Sequence, residues 1–331
     1  MSVGVCGFGT ALVAVGVLAT VQAHAAPTYI ALGDSITFGE TDLQYVPSNG
    51  DRGYVALIAD ALATQNGGVR PNVVNLAIDG ETAASFLNNA NPRTPPVVGR
   101  TNVPLQLENT NYGGSTALSQ SQVFANTVAA QTLTGNTISA ITITLGFNEL
   151  AALAPATNNP VAEAAAISQI GTTLTTYQAN ETAVLTQVRN LAPNAALYLL
   201  GYYNPFPADP NSPAAPVFNS GGTALNTVIQ GLAAQFGATF VNTAPSFVGH
   251  EAEYTYQAVL PAGSSVGGPY GGVLPIGNVH PNAQGYSVIA ADFGFPAATS
   301  VPEPAPWAAV LPGLAVLGVA LRRGRQKRPA A

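Results

Sequence analysis

The chain has 331 residues, of which 47% are hydrophobic and only 8% charged, and its formal net charge is −6. That length and apolar content sustain a buried core and exclude a disordered chain. The scarcity of Lys and Arg excludes a nucleic-acid partner, whose phosphates need clustered cations. Typical globular proteins carry roughly a quarter charged residues, so this surface must be covered largely by Asn, Thr, Ser, Gln and Gly, which suits an exported protein. Residues 1–26 read as a secretory signal: an apolar stretch from Ala11 to Leu18, then the small-x-small site Ala23-His24-Ala25 before Pro27. The only cysteine, Cys6, falls inside that segment, so the mature protein would have no disulfide and would rely on packing.

Between residues 27 and 296, short runs rich in β-branched residues alternate with helical periodicity, as βαβ units do. Strands are expected near Thr28 to Leu32, Val73 to Ala77, Ala140 to Leu145, Ala195 to Leu200 and Ala238 to Asn242. Arg52 to Thr64 places Val55, Ile58, Ala59 and Leu62 at helical spacing, and Thr223 to Phe236 does so with Leu225, Val228, Ile229 and Leu232. A long helical pattern from Val161 to Leu191 is expected to break near Gly171, with Pro193 and Asn194 turning into the next strand. Together these define one α/β domain of three layers. Asn91 to Gly114, Tyr203 to Ser220 and Phe247 to Gly277 are irregular and rich in Pro, Gly and Asn, and long segments of that kind tend to shape active sites. No internal repeat, phosphate-cradling loop or metal-ligand cluster stands in the sequence, so neither cofactor nor metal is expected.

Chemistry concentrates at a few points. Gly33-Asp34-Ser35-Ile36-Thr37-Phe38-Gly39 follows directly on the first expected strand, where open parallel sheets bind ligands. A helical turn starting there points unpaired N–H groups at the serine, while the bland reading of Asp34-Ser35 is an ordinary helix cap. This segment resembles block I of the GDSL/SGNH hydrolase family, and other blocks follow in the family's order. Asn75-Leu76-Ala77-Ile78-Asp79-Gly80 resembles block II, Gly146-Phe147-Asn148-Glu149 resembles block III with Glu in place of the usual Asp, and Val279-His280-Pro281-Asn282 resembles block V, with Pro281 opening a last helix through Ala291.

The resemblance spans about Thr28 to Phe293 and implies a flavodoxin-like (SGNH) three-layer α/β/α sandwich around a parallel sheet of about five strands. It also implies a serine ester hydrolase in which Ser35 attacks an acyl carbonyl, His280 takes the proton, and the backbone N–H groups of Ser35 and Gly80 with the Asn148 amide form the oxyanion hole. Imidazole is the natural base near neutrality. Once His24 leaves with the signal, only His250 and His280 remain to supply it. The family's acid stands three residues before this histidine, and here that position is Gly277. Three outcomes are open: a backbone carbonyl near Gly277 orients His280 in a Ser-His dyad, which we favour; Glu251 or Glu253 substitutes; or activity is lost. In the last case the chain would be a matrix or polysaccharide-binding protein on a degenerate fold.

Residues 297–331 hold Val301-Pro302-Glu303-Pro304, an apolar run from Trp307 to Leu321 and a basic end from Arg322 to Arg328. As a helix the run reaches about 22 Å, short of the roughly 30 Å hydrocarbon core, and its basic end should stay cytoplasmic. The segment resembles the PEP-CTERM sorting signal of Gram-negative bacteria. The resemblance implies an exosortase as partner, transient inner-membrane contact through a short transmembrane helix, and a cell-envelope or extracellular destination. Substrates expected for such a protein are small, lipid or acylated-glycan esters.

Overall fold

A computed structural model describes residues 27–39, 41, 50–88, 109–113, 117–255 and 279–295. The expected signal segment, the sorting tail and Gly277 lie outside the described residues. All five expected strands are present: β1 (Thr28–Gly33), β2 (Asn72–Asn75), β3 (Ile138–Thr144), β4 (Ala196–Leu200) and β5 (Thr239–Val241). They form one parallel sheet in the order β2-β1-β3-β4-β5. Every residue of β1 is buried, and so are the last five of β3. This explains why β1 reads as a near-continuous apolar run; β3 alternates, and its buried Thr142 and Thr144 hydroxyls are hydrogen-bonded with Tyr29 OH and Asp34 Oδ1.

The helices fall into two layers, as right-handed crossovers require. The chain moves from β1 outward to β2, so α2 (Gly53–Gln65) covers one face, where α10 (Ala283–Asp292) packs on it. It then returns past β1 to β3, β4 and β5. On this course α3 (Ala83–Asn88), α4 (Gln120–Leu133), α6 (Pro160–Leu191) and α7 (Ala215–Gln235) pack against one another in the other layer. Short helices α1 (Ser35–Phe38), α5 (Phe147–Ala151), α8 (Ala244–Phe247) and α9 (Glu251–Tyr254) all sit in connections that leave the carboxyl ends of strands. The reversal of strand order lies between β1 and β3, and the loops bearing Ser35 and Asn148 leave from there.

The structure departs from the sequence expectations in three places. Helix α6 runs unbroken for 32 residues through Gly171. A glycine costs a helix only about 1 kcal/mol relative to alanine, and the buried stripe Ile170, Leu174, Tyr177, Val184, Leu185 and Val188 outweighs it. Helix α7 begins at Ala215 rather than near Thr223, so part of the stretch read as irregular is its first two turns, with Val217 and Phe218 buried. Pro281 does not open the last helix. It pairs in an isolated bridge with Thr255, and Asn282 caps α10 by accepting from Gly285 N at 3.0 Å.

Candidate active site

Ser35 is the first residue of α1, immediately beyond β1. Asp34 has extended backbone and caps the turn, its Oδ1 accepting from Ile36 N at 3.0 Å, while Gly39 closes it in the left-handed conformation. The bland reading of Asp34 as a cap therefore holds, and it also sets the serine at the head of the turn. Gly33 has φ of 131°, and a Cβ there would stand 2.3 Å from the Thr144 carbonyl oxygen, so only glycine lets β1 run this close to the end of β3.

Three loops are tied together around this turn. Asp34 N donates to Thr144 O at 3.0 Å, and Ile78 N donates to Gly33 O at 3.0 Å. Gly80 occupies the third position of a turn closed by Glu81 N donating to Ile78 O, and its φ of 72° is one that glycine alone adopts freely. The Asn148 amide donates one of its two N–H groups to Glu81 O at 2.9 Å. Glu149 reaches across to accept from Ala83 N at 2.7 Å, so its extra methylene serves to cap the start of α3. Ser35, Gly80 and Asn148 thus stand on adjoining, mutually bonded backbone.

Gln120, at the head of α4, was not singled out by sequence reasoning. Its amide embraces Gly33, accepting from N at 2.6 Å and donating to O at 3.0 Å, and it also donates to Glu81 Oε2 at 3.2 Å. The one local signal was the capping box formed by Ser119 and Gln122, which marks the helix start but not the clamp. The Asp34 carboxylate is equally enclosed, accepting from Thr144 Oγ1 at 3.0 Å and Tyr202 OH at 2.6 Å. Burial pushes its pKa up to about 6, against the pull of the bonds from Tyr202, Ile36 and Thr144.

The two histidines differ in setting. His280 is partly buried, and the carbonyls of both neighbouring residues are anchored: Val279 O accepts from Tyr203 OH at 2.7 Å, and Pro281 O accepts from Thr41 Oγ1. His250 is exposed, its Nδ1 3.0 Å from Glu253 Oε2 and its ring stacked on Tyr254. Glu253 also accepts from Gln284 at 2.8 Å, and hydrogen bonding to His250 holds its carboxyl below the ordinary range. Glu251 accepts from Gly249 N at 3.1 Å. These carboxylate bonds of Glu251 and Glu253 thus run to Gly249, His250 and, on α10, Gln284.

Among the described residues no helix is long and apolar enough to cross a membrane. No curated protein sequence matches the chain. Several solved structures are similar to it, among them these three. One is phospholipase A1 from Streptomyces albidoflavus NA297, at 20% identity and TM-score 0.48 over 82% of this chain and 99% of that one. Another is an extracellular lipase from Streptomyces rimosus, at 21% identity and TM-score 0.49 over 81% and 99%. The third is Axe2, an acetylxylan esterase from Geobacillus stearothermophilus, at 15% identity and TM-score 0.43 over 81% and 92%. At the level of sequence, residues 31–288 match the GDSL-like lipase/acylhydrolase family, a span reaching from the first strand into the last helix, and the chain belongs to that family.

Proposed function

We propose that the protein is an exported serine ester hydrolase. Ser35 Oγ attacks the acyl carbonyl of an ester while His280 takes the hydroxyl proton. The alkoxide of the tetrahedral intermediate is held by the N–H groups of Ser35 and Gly80 and by the Asn148 amide. Collapse expels the alcohol, to which His280 returns the proton, and water then clears the acyl-enzyme by the same steps. The observation that carries this reading is the hydrogen-bonded junction of the three loops, which sets a serine at the head of a turn beside two glycine- and asparagine-bearing strand ends.

His280 is favoured over His250 as base because the segment around it is anchored toward the turn, whereas His250 faces solvent and is occupied by Glu253. The engagement of Glu251 by Gly249 N and of Glu253 by His250 and Gln284 supports a Ser-His dyad, oriented by a backbone carbonyl, over a substitute carboxylate. Acyl or acetyl esters of small molecules, lipids or polysaccharide are the proposed substrates. The leading segment and the Pro-Glu-Pro tail support delivery to the envelope or exterior of a Gram-negative bacterium, with an exosortase handling the tail and brief inner-membrane contact.

The test is turnover of short-chain nitrophenyl esters, together with fluorophosphonate labelling, by the purified chain and by Ser35→Ala. Turnover and labelling that vanish in the variant are expected. Equal rates in both proteins refute the serine mechanism, and glycan retention without labelling would favour a binding protein instead.

A further inference from the structure

Two consecutive tyrosines just beyond β4 touch both halves of the candidate site. Tyr202 OH donates to Asp34 Oδ2 at 2.6 Å, one residue before Ser35, and Tyr203 OH donates to Val279 O at 2.7 Å, one residue before His280. Both rings are buried. The peptide between them is itself immobilised. Asn226 clamps Tyr202, accepting from its N and donating to its O at 2.8 Å each, while Gly201 is fixed by Val241 O and Thr243 Oγ1. Tyr203 stacks on Phe247 with ring centroids 3.9 Å apart, and Tyr202 leans on Phe147, the neighbour of Asn148. A small cleft lined by Ile36, Thr144, Tyr202, Tyr203 and Ile289 lies between the turn of Ser35 and the helix that follows His280.

We propose that Tyr202 and Tyr203 are positioning residues that fix the distance between the Ser35 turn and the His280 segment, with Thr41 holding that segment from its other side. The inference rests on the serine-hydrolase reading. Its physical basis is that adjacent residues of one strand end cannot move independently. A hydroxyl on each therefore acts as the two jaws of a fixed gauge, one jaw on the nucleophile's turn and one on the base's backbone. Thr41 Oγ1 on the Pro281 carbonyl completes a grip on both residues that flank His280. Such a grip orients the imidazole through its own backbone. A carboxylate three residues upstream would do so through a ring nitrogen, and Gly277 supplies no side chain for that.

The experiment compares the parent with Tyr203→Phe, Tyr202→Phe, Thr41→Val and the control Tyr29→Phe. The control loses a buried hydroxyl bonded to Thr142 in the middle of the sheet. A misplacement of about 1 Å costs on the order of 100-fold in rate. Tyr203→Phe is therefore expected to lower kcat at least about tenfold, with KM within about twofold, and to slow fluorophosphonate labelling of Ser35 by the same factor as kcat. Its melting temperature should fall no further than that of Tyr29→Phe, whose kcat stays near the parent's. Should Tyr203→Phe not fold, Tyr202→Phe and Thr41→Val carry the same expectation. A folded Tyr203→Phe with kcat within about twofold of the parent, or a loss of activity matched by Tyr29→Phe, overturns the positioning role and leaves the hydrolase reading intact. A parent that neither labels nor turns over removes both.

Discussion

Replacing Gly33 with alanine tests the closest approach in the sheet. Two separate costs are readable at this position. The φ of 131° lies in a region that is essentially glycine's own, and holding a non-glycine residue there costs about 1–3 kcal/mol. The new Cβ would also fall 2.3 Å from both the Thr144 carbonyl oxygen and its Oγ1, and 2.7 Å from Thr144 N. Backbone cannot swing aside as a flexible side chain can, so overpacking adds about 1–3 kcal/mol. The sum is roughly 2–6 kcal/mol, a large part of the 5–15 kcal/mol that folded domains typically possess. Gly135 separates the two costs, because it has φ of 76° and nothing within 4 Å of its would-be Cβ. Gly135→Ala should therefore lose only the conformational part, about 1–2 kcal/mol. Urea unfolding followed by circular dichroism reads both variants. Gly33→Ala also pushes the Ser35 turn off Thr144 and off the Gln120 clamp, so esterase turnover should fall more than stability alone explains. If Gly33→Ala unfolds within about 1 kcal/mol of Gly135→Ala, the argument that β1 and β3 are held at glycine distance fails.

Asp34 makes a pH prediction. Its folded pKa of about 6 lies above the ordinary 3.8, so the native state binds the proton more tightly. The stabilisation from that proton is complete below about pH 4 and is lost as pH rises through about 6, in all about 3 kcal/mol for two pKa units. Asp34→Asn keeps the cap on Ile36 and donates to Tyr202 instead, without ionising. Between pH 4 and 7 the parent should therefore lose about 3 kcal/mol relative to the variant in urea unfolding, and parallel curves would contradict the assignment. Asn148→Ala should lower kcat about 100- to 1,000-fold with little change in KM, as loss of one oxyanion donor does. A smaller loss would take Asn148 out of the oxyanion hole.

The strands were legible because short runs rich in apolar and β-branched residues, spaced between helical stretches, suit a parallel sheet covered by helices, and each of those runs holds a strand. Helix α2 was equally legible, its four spaced residues Val55, Ile58, Ala59 and Leu62 all being buried. Gly171 misled because local propensity is weak beside a long packed stripe, and the start of α7 was hidden because prolines and asparagines precede its apolar periodicity. At the candidate site, the order of Ser35, Gly80, Asn148 and His280 along the chain could be read from short motifs. Their supports could not be. Gln120 to Gly33 spans 87 residues and Tyr202 to Asp34 spans 168, and nothing local encodes such pairings. One weak signal was available in Tyr202-Tyr203, two hydroxyl-bearing rings in succession at a strand's carboxyl end, where parallel sheets place their ligands.

The bond from Thr41 to Pro281 joins segments 240 residues apart. In the proposed mechanism the imidazole comes from His280, so the chemistry must wait for helix α10, which follows it, to dock. Closing so long a loop is slow, and its contacts repay the lost chain entropy only late in folding. On that mechanism a growing or partly threaded chain is inert until α10 has docked.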